Sequence, residues 1–369
     1  MTKSASKEGT TRYARKFAGR AAAGHFREVQ RLLLSSIGIG TYLGQPDTKT
    51  DGGYTTAAVA AVESGINVID AAINYRFQRS ERSIGAAIQQ LAAKGFERDE
   101  IVVCTKGGYL TPDGSMPADP NEYFFYEYIQ PGVFTAKDIA AGSHCMTPTF
   151  LKNQLGRSLK NLGVECVDVY YLHNPETQFT EVSKEEFLNR VREAFTFLES
   201  AVEAGEIQYY GMATWNGFRQ DARTRDAMQL GEIAQVAQEI AGGRHHFRFV
   251  QLPFNLAMTE ALTLGNQSLR GHHRTVMEAA SELDITLIAS ASLMQGQVAK
   301  NLPPFVAEAL GLANDAERAL QFVRSSPGIT TALVGMSQAE HVKANARLVG
   351  VAPATTDDFS KLFSRGEGA

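Results

Sequence analysis

Eight short apolar segments alternate with longer stretches of helical periodicity, and this alternation limits the fold more than any other feature of the sequence. The segments span residues 32–40, 66–70, 101–106, 167–173, 207–213, 249–252, 285–290 and 329–335. Strands that are apolar throughout and joined by helices predict a parallel sheet that is covered on its outer face. Eight βα units favour a closed barrel over an open sheet. We therefore predict an α/β protein with one (β/α)₈ TIM barrel.

The barrel is predicted to span residues 25–350. The segment 1–24 carries six lysines and arginines, so we expect a flexible, solvated N-terminal extension, although an organelle transit peptide has a similar composition. Residues 351–369 are expected to form a C-terminal tail. The run 38–40 (Gly-Ile-Gly) is weak evidence for an open dinucleotide-binding sheet, because a third glycine and a following helix are missing.

Two long connections interrupt the alternation. The first is an insert at 107–148 after the third strand, and the second is an extended loop at 291–314 after the seventh strand. In a TIM barrel both lie on the C-terminal face, where active sites are built, and long loops there are usually functional. The insert is rich in aromatic residues. These residues could line a substrate pocket, pack against another subunit, or form a small cluster of their own.

Composition narrows the class of protein. The formal net charge of −4 argues against nucleic-acid binding, which requires a basic surface. No apolar run approaches the roughly 18 residues of a membrane span, so we expect no membrane partner. The three cysteines are widely spaced, which is typical of a reducing compartment. We expect a cytoplasmic protein that acts on a small molecule, with homo-oligomerisation left open.

Three successive strands end in ionisable residues, namely Asp70, Lys106 and His173, and Tyr75 follows the first of them by five residues. Each alone could be a helix cap or a structural residue, but together they converge on the mouth of the barrel. A tyrosine, with a pKa of about 10, keeps its proton at neutral pH and can donate it to an alkoxide. Lys106 would stabilise the phenolate and lower its pKa, Asp70 would hold Lys106, and His173 would orient a carbonyl oxygen.

The segment 65–88 (GINVIDAAINYRFQRSERSIGAAI) resembles the signature of the aldo-keto reductases. The resemblance implies that Asp70, Tyr75, Lys106 and His173 are the catalytic residues. Tyr75 would be the general acid/base in hydride transfer between a nicotinamide cofactor and an aldehyde, ketone or sugar carbonyl, or the corresponding alcohol.

The same resemblance implies a cofactor site along the later strands. Thr214 and Gln251 would hold the nicotinamide carboxamide, although Ala213 stands where the family has a polar residue. Phe254 would stack on the nicotinamide ring; its alternative role is that of a core residue. The predicted pyrophosphate contacts are Ser290, Ser292, Leu293 and Gly296, and the predicted adenosine contacts are Gly335, Ser337, His341 and Asn345.

The resemblance favours NADP(H) as the cofactor and leaves NAD(H) open. Family members that prefer NADPH bind its 2′-phosphate with a lysine and an arginine, and these positions hold Gly335 and His341 here. Ser337, Gln338 and Lys343 could compensate for the missing cations. The alternative function is a nucleotide-sensing regulatory subunit on the same fold. No metal site is expected, because the histidine pairs at 245–246 and 272–273 are adjacent and therefore diverge.

Overall fold

A closed barrel of eight parallel strands forms the centre of the computed structural model, which describes residues 3–363. Numbered along the chain, the strands are β1 (Phe26–Val29), β2 (Leu32–Ser35), β3 (Ile37–Gly40), β4 (Val68–Asp70), β5 (Val102–Gly107), β6 (Val167–His173), β7 (Ile207–Ala213), β8 (Phe247–Pro253), β9 (Gln267–Leu269), β10 (His272–Arg274), β11 (Thr286–Ser290) and β12 (Ile329–Gly335). Around the barrel the order is β11, β12, β3, β4, β5, β6, β7 and β8, and β8 pairs with β11 to close it. The predicted (β/α)₈ barrel is confirmed.

The first apolar segment divides into two strands with different partners. Strand β2 pairs antiparallel with β1, whereas β3 enters the barrel between β12 and β4. Leu32 and Leu34 of β2 share a buried apolar cluster with Val102, Phe249 and other side chains from most of the barrel strands. This cluster is the barrel interior, and the hairpin closes it at the end where the strands begin.

Helices cover the outer surface of the barrel. They are α1 (Lys7–Lys16), α2 (Thr48–Glu63), α3 (Arg79–Ala93), α4 (Pro120–Phe124), α5 (Pro148–Leu162), α6 (Lys184–Glu203), α7 (Leu230–Ala241), α8 (Glu260–Thr263), α9 (Val276–Glu282), α10 (Pro304–Leu310), α11 (Asp315–Ser325), α12 (Ala339–Asn345) and α13 (Thr356–Ser360). Their apolar faces and the outer faces of the strands form the larger core cluster, with members such as Val62, Leu155 and Leu198. The longer helices thereby bury the faces that their sequence periodicity marks as apolar, whereas α4, in the insert, buries no residue.

The expectation of a flexible N-terminal extension does not hold for residues 3–24. Helix α1 begins after Ser6, whose hydroxyl accepts a hydrogen bond from the backbone of Gly9. Tyr13 is fully buried, and its hydroxyl donates to the carbonyl of Val62 at 2.6 Å. Four of the six basic residues that suggested a solvated segment pair with acidic groups, as Arg12 does with the buried Glu100. Met1 and Thr2 lie outside the described residues.

The predicted C-terminal tail, residues 351–369, is folded as far as the structure describes it. Phe359 of α13 stacks on Phe322 of α11, with ring centroids 5.4 Å apart. The rest of the predicted tail, residues 364–369, lies outside the described part of the chain. Within residues 3–363, no helix combines the length and the apolar character that a membrane span requires.

The insert 107–148 has a small core of its own. The Tyr128 ring stacks on Phe134 at 5.7 Å and packs against Phe150 of α5. Tyr109 leaves this cluster, and its ring lies 5.3 Å from that of His173. Most aromatic residues of the insert pack together, as the interpretation of a separate cluster expects. Tyr109 instead reaches a residue at the mouth of the barrel, where the substrate-pocket interpretation places it.

We predict that Tyr13→Ala lowers the free energy of unfolding by about 3 kcal/mol or more, because it removes a buried ring and leaves a cavity. Arg15→Ala, on the exposed face of the same helix, should change it by less than about 0.5 kcal/mol. Urea denaturation of both variants measures the difference. Wild-type stability in Tyr13→Ala would mean that α1 is not part of the folded core.

Candidate active site

The structure brings the four predicted catalytic residues together at the C-terminal end of the barrel. Asp70 ends β4, Lys106 lies one residue before the end of β5, and His173 ends β6. These strands are neighbours in the barrel, so their ends meet at one place. Tyr75 comes from the loop after β4. Its ring centroid lies 5.1 Å from Nζ of Lys106 and 5.7 Å from the ring of His173.

Lys106 and Asp70 form a buried ion pair. Nζ of Lys106 lies 2.6 Å from Oδ2 of Asp70 and donates to the carbonyl of Ala71 at 2.8 Å. Oδ1 of Asp70 accepts from Nε2 of Gln251 at 2.8 Å. Burial by itself lowers the pKa of Lys106, but the negative charge of Asp70, joined at high pH by that of the Tyr75 phenolate, outweighs it and raises the pKa overall. Lys106 is therefore a cation at neutral pH.

Tyr75 keeps its proton at neutral pH. Burial raises the pKa of Tyr75 to about 12, and the nearby Lys106 cation offsets only part of that rise. Lys106 lowers this pKa, as the sequence predicts, but desolvation of the phenolate is the larger effect, and the pKa lies above its ordinary value. A protonated phenol beside a fixed cation is suited to donate a proton, since the cation stabilises the phenolate that remains.

A strained turn holds Tyr75. The next three residues, Arg76, Phe77 and Gln78, all have left-handed backbone conformations, with φ of 48°, 57° and 71°. Each such residue costs about 1–2 kcal/mol, so the turn persists only because other contacts fix it. Arg76 is buried, donates to the carbonyl of Thr41 at 2.6 Å and lies over the ring of Tyr54 at 4.4 Å.

The imidazole of His173 is neutral. Burial lowers its pKa well below the ordinary value, and the charge of Lys106 lowers it further. Nδ1 of His173 is buried without a hydrogen-bond partner among residues 3–363. A buried polar atom left unpaired is costly, and here it is on a ring that contacts Tyr75. Nε2 of the same ring is not buried in this way and has no hydrogen bond to residues 3–363, so it is the nitrogen open to an oxygen of a ligand.

The predicted carboxamide ligands lie on adjacent strand ends. The backbone N–H of Thr214 donates to the carbonyl of Gln251 at 2.8 Å. The Thr214 hydroxyl is buried and has no partner in the described chain, so it fits a hydrogen bond to a ligand amide. The NH₂ group of Gln251 already donates to Asp70, and the methyl side chain of Ala213 cannot hydrogen-bond. The site therefore offers a carboxamide fewer hydrogen bonds than the family pattern implies.

Phe254 lies in the core, which corrects the predicted stacking on nicotinamide. Its ring is fully buried and stacks on Phe322 of α11, with centroids 5.4 Å apart and an interplanar angle of 14°. A ring that is covered on all sides offers no face to a ligand.

The remaining predicted cofactor residues fall on two neighbouring segments of the same face. Ser290, Ser292, Leu293 and Gly296 lie at the end of β11 and in the loop after it. Gly335 ends β12, Ser337 follows it, and His341 and Asn345 lie one turn apart on α12. Asn345 is buried and His341 is exposed. A Cβ at Gly53 of α2 would lie 2.6 Å from the carbonyl oxygen of Ser337, so glycine allows α2 to approach this segment.

Sequence reasoning missed two residues that shape the mouth. The Tyr42 ring lies 5.0 Å from that of Tyr75 and is 59% exposed. Oε1 of the buried Glu176 accepts backbone hydrogen bonds from Trp215 at 2.6 Å and from Asn216 at 2.9 Å, which fixes the loop after Thr214. The only sequence feature that could have indicated either residue is the position of Glu176, three residues after His173.

Among the residues that the structure describes, no group of three or more His, Cys, Asp or Glu could hold a metal ion.

A (β/α)₈ barrel with a tyrosine, a Lys–Asp pair and a neutral histidine at its mouth defines the class of this protein. The model of the Aldo/keto reductase family matches residues 36–364. The chain belongs to this family of oxidoreductases.

Known relatives differ in their reported roles. A putative voltage-gated potassium channel subunit beta from Schizosaccharomyces pombe is 27% identical over 344 residues, which cover 89% of this chain and 89% of that protein. An NADH-specific methylglyoxal reductase from Escherichia coli is 24% identical over 208 residues, covering 55% of this chain and 54% of that protein. An aldo/keto reductase from Klebsiella pneumoniae, solved with NADP and acetate, superposes with a TM-score of 0.60 at 18% identity. It covers 93% of this chain and 96% of its own, and at this identity it supports the fold alone.

We predict that Lys106→Met lowers the free energy of unfolding at pH 7 by about 3–5 kcal/mol, because Asp70 would be left as a buried charge without its cation. The control is Lys94→Met, which breaks an ion pair with Glu63 whose side chains are 48% and 41% exposed. Such a surface pair contributes about 1 kcal/mol or less. Urea denaturation should separate the two variants, and equal losses would contradict the proposed burial of the Lys106 charge.

Proposed function

We propose that this protein is an NAD(P)H-dependent aldo-keto reductase in which Tyr75 is the general acid/base. Its substrate is an aldehyde, ketone or sugar carbonyl, or the corresponding alcohol in the reverse direction. The observation that carries the proposal is the protonated Tyr75 beside the buried Lys106–Asp70 pair. Family membership supports the same reaction class.

The proposed mechanism assigns one task to each residue. A bound nicotinamide cofactor supplies or accepts the hydride. His173 donates a hydrogen bond that orients the carbonyl oxygen, and Tyr75 transfers its phenolic proton to that oxygen as negative charge develops on it. Lys106 stabilises the resulting phenolate, and Asp70 keeps the ammonium in place. In alcohol oxidation the phenolate removes the proton from the substrate.

We propose NADP(H) as the favoured cofactor and NAD(H) as a second one. Membership of the aldo-keto reductase family, in which NADPH is the common cofactor, supports the first, and the similarity to the NADH-specific reductase of Escherichia coli supports the second. The unpaired hydroxyl of Thr214 suits the carboxamide that both cofactors share. Gly335 and the exposed His341, at the positions of the family's 2′-phosphate ligands, weaken the preference for NADP(H).

A regulatory subunit that senses nucleotides is the second candidate function. The similarity to the potassium channel subunit beta of Schizosaccharomyces pombe, over 89% of both chains, favours it. That relative has the same family fold, so binding of nucleotide is common to both candidates and only turnover separates them. A cytoplasmic location and a homo-oligomeric state remain proposals with either function.

We predict that Tyr75→Phe lowers kcat for reduction of 4-nitrobenzaldehyde by at least about 100-fold, because it removes the proton donor and keeps the ring. NADPH and NADH are titrated first, with the fluorescence of Trp215, which is 47% exposed beside Thr214, as the binding signal. The control is Tyr13→Phe, which removes a buried hydroxyl from α1 and should leave kcat unchanged.

Three outcomes separate the candidates. Binding of cofactor, turnover, and loss of turnover in Tyr75→Phe support the reductase. Binding without turnover of any aldehyde, ketone or sugar tested supports the regulatory subunit. Turnover that persists in Tyr75→Phe, or failure of both cofactors to bind, contradicts the proposed function.

A further inference from the structure

His144, near the end of the insert 107–148, is fully buried and contacts the backbone of His173. Its Nε2 lies 2.8 Å from the carbonyl oxygen of His173, and its Nδ1 lies 2.7 Å from Nε2 of Gln178. The amide nitrogen of Gln178 can only donate, so Nδ1 of His144 accepts and Nε2 carries the proton. Burial lowers the pKa of His144 to about 4. It is therefore a neutral donor to the carbonyl of His173.

The side chain of Gln178 is itself fixed. Its Oε1 accepts from Arg190 of α6, and its Nε2 also reaches the carbonyl oxygen of His144 at 3.3 Å. Because the oxygen of this amide faces a guanidinium, its nitrogen must face His144. A chain of hydrogen bonds thus runs from Arg190 through Gln178 and His144 to the backbone of His173, and it fixes the tautomer of His144.

Tyr109 supports the ring of His173 from the same insert. Its ring meets His173 edge-on at 5.3 Å and His144 edge-on at 5.0 Å. Its hydroxyl lies 3.2 Å from the hydroxyl of Thr177. The insert therefore contacts His173 twice, at the backbone through His144 and at the imidazole through Tyr109.

The contact between His144 and His173 depends on the glycine at position 108. A Cβ there would lie 2.8 Å from Nε2 of His144 and 3.1 Å from the carbonyl oxygen of His173. Gly108 also has φ of +142°, a conformation that other residues rarely adopt. Asn174, which follows His173, is left-handed with φ of 47°. The carbonyl of His173 is thus held in a tight turn, and His144 donates to it there.

We propose that His144 is a positioning residue that holds His173 in the orientation required for carbonyl binding. The proposal rests on the proposed reductase function, and His144 itself contacts no substrate in it. Holding the carbonyl restricts the backbone of His173 and so the place from which its side chain leaves, while the contact with Tyr109 limits rotation of the imidazole. A displacement of about 1 Å in a catalytic group can lower a rate by about 100-fold. The insert is then part of the catalytic apparatus.

His25 provides a matched control, because it has the same environment at the opposite end of the barrel. It is fully buried, its Nδ1 lies 3.0 Å from the hydroxyl of Ser36, and its Nε2 lies 2.9 Å from the carbonyl oxygen of Gly65. Burial lowers its pKa to about 4 as well. A purely structural role predicts the same consequences for the loss of either histidine.

The first test compares His144→Leu, His144→Gln and His25→Leu by steady-state kinetics and thermal unfolding. We expect His144→Leu to lower kcat by about 10- to 100-fold with an unchanged KM for the cofactor. His144→Gln, which keeps a donor within reach of the His173 carbonyl, should recover most of that loss. His25→Leu should lower the unfolding temperature as much as His144→Leu does, at wild-type kcat. Equal effects of the two leucine variants on kcat, or no effect of either, would overturn the proposal.

The second test changes the tautomer and uses Gln178→Glu. A carboxylate cannot donate, so the single proton of neutral His144 moves to Nδ1 and leaves Nε2 facing the carbonyl of His173 as an acceptor. The carboxylate also raises the pKa of His144, and the positive charge of Arg190 opposes this rise. The other titratable residues that contact His144 are His173 and Tyr109. The imidazolium can donate at both nitrogens. We therefore expect kcat of Gln178→Glu to fall as pH rises through the raised pKa of His144, in contrast to wild type, and an unchanged pH profile counts against the proposal.

A readout without turnover separates failure of this proposal from failure of the proposed function. In protein labelled at histidine, the NMR signals of the His173 imidazole should shift in His144→Leu and remain in place in His25→Leu. If wild type turns over no carbonyl but these shifts appear, the reductase function fails and the positioning contact stands. If wild type is active and the His173 signals do not move, the positioning role is wrong. Should His144→Leu not fold, Gln178→Glu takes its place in this comparison: above the raised pKa of His144 the His173 signals should shift, and unchanged signals would mean that the positioning role is wrong.

Discussion

The buried ion pair between Lys106 and Asp70 sets the conditions for every other group at the mouth of the barrel. Two charges removed from water are tolerated only when they are close together and their remaining hydrogen-bond capacity is used. Ala71 and Gln251 provide those additional bonds. Gln251 lies on β8, four strands away from Asp70 on β4 in the closed order, so its bond crosses the mouth. The pair therefore joins opposite sides of the barrel and places a cation below Tyr75.

The effects of this pair on its neighbours follow from burial as much as from charge. A cation near a phenol favours the phenolate, yet desolvation keeps Tyr75 protonated. The same cation and the same burial both act against a proton on His173. The site thus holds a neutral proton donor and a neutral hydrogen-bonding ring around one fixed positive charge. This arrangement suits an oxygen that becomes negative during the reaction.

Strand patterns in the sequence were sufficient to predict the barrel and the meeting of Asp70, Tyr75, Lys106 and His173, because the ends of neighbouring parallel strands must lie together. Side-chain contacts between segments that are distant in the sequence could not be predicted from strand patterns. Arg12 looked like a solvated residue because its partner Glu100 is 88 positions away. Phe254 looked like a ligand contact because nothing in the sequence indicates that Phe322 covers its ring. His144 is a single histidine in an irregular segment, and no periodicity connects it to the carbonyl of His173.

The insert links the loop that carries Tyr75 to the end of β6, where His173 lies. The backbone N–H of Gly114 donates to the carbonyl of Phe77 at 2.9 Å, within the left-handed turn that holds Tyr75. At its other end, His144 binds the backbone of His173. One segment of chain thus contacts both the turn that holds Tyr75, the proposed proton donor, and the backbone of His173, the residue proposed to orient the carbonyl. The relative position of these two side chains therefore depends in part on a segment outside the βα repeat.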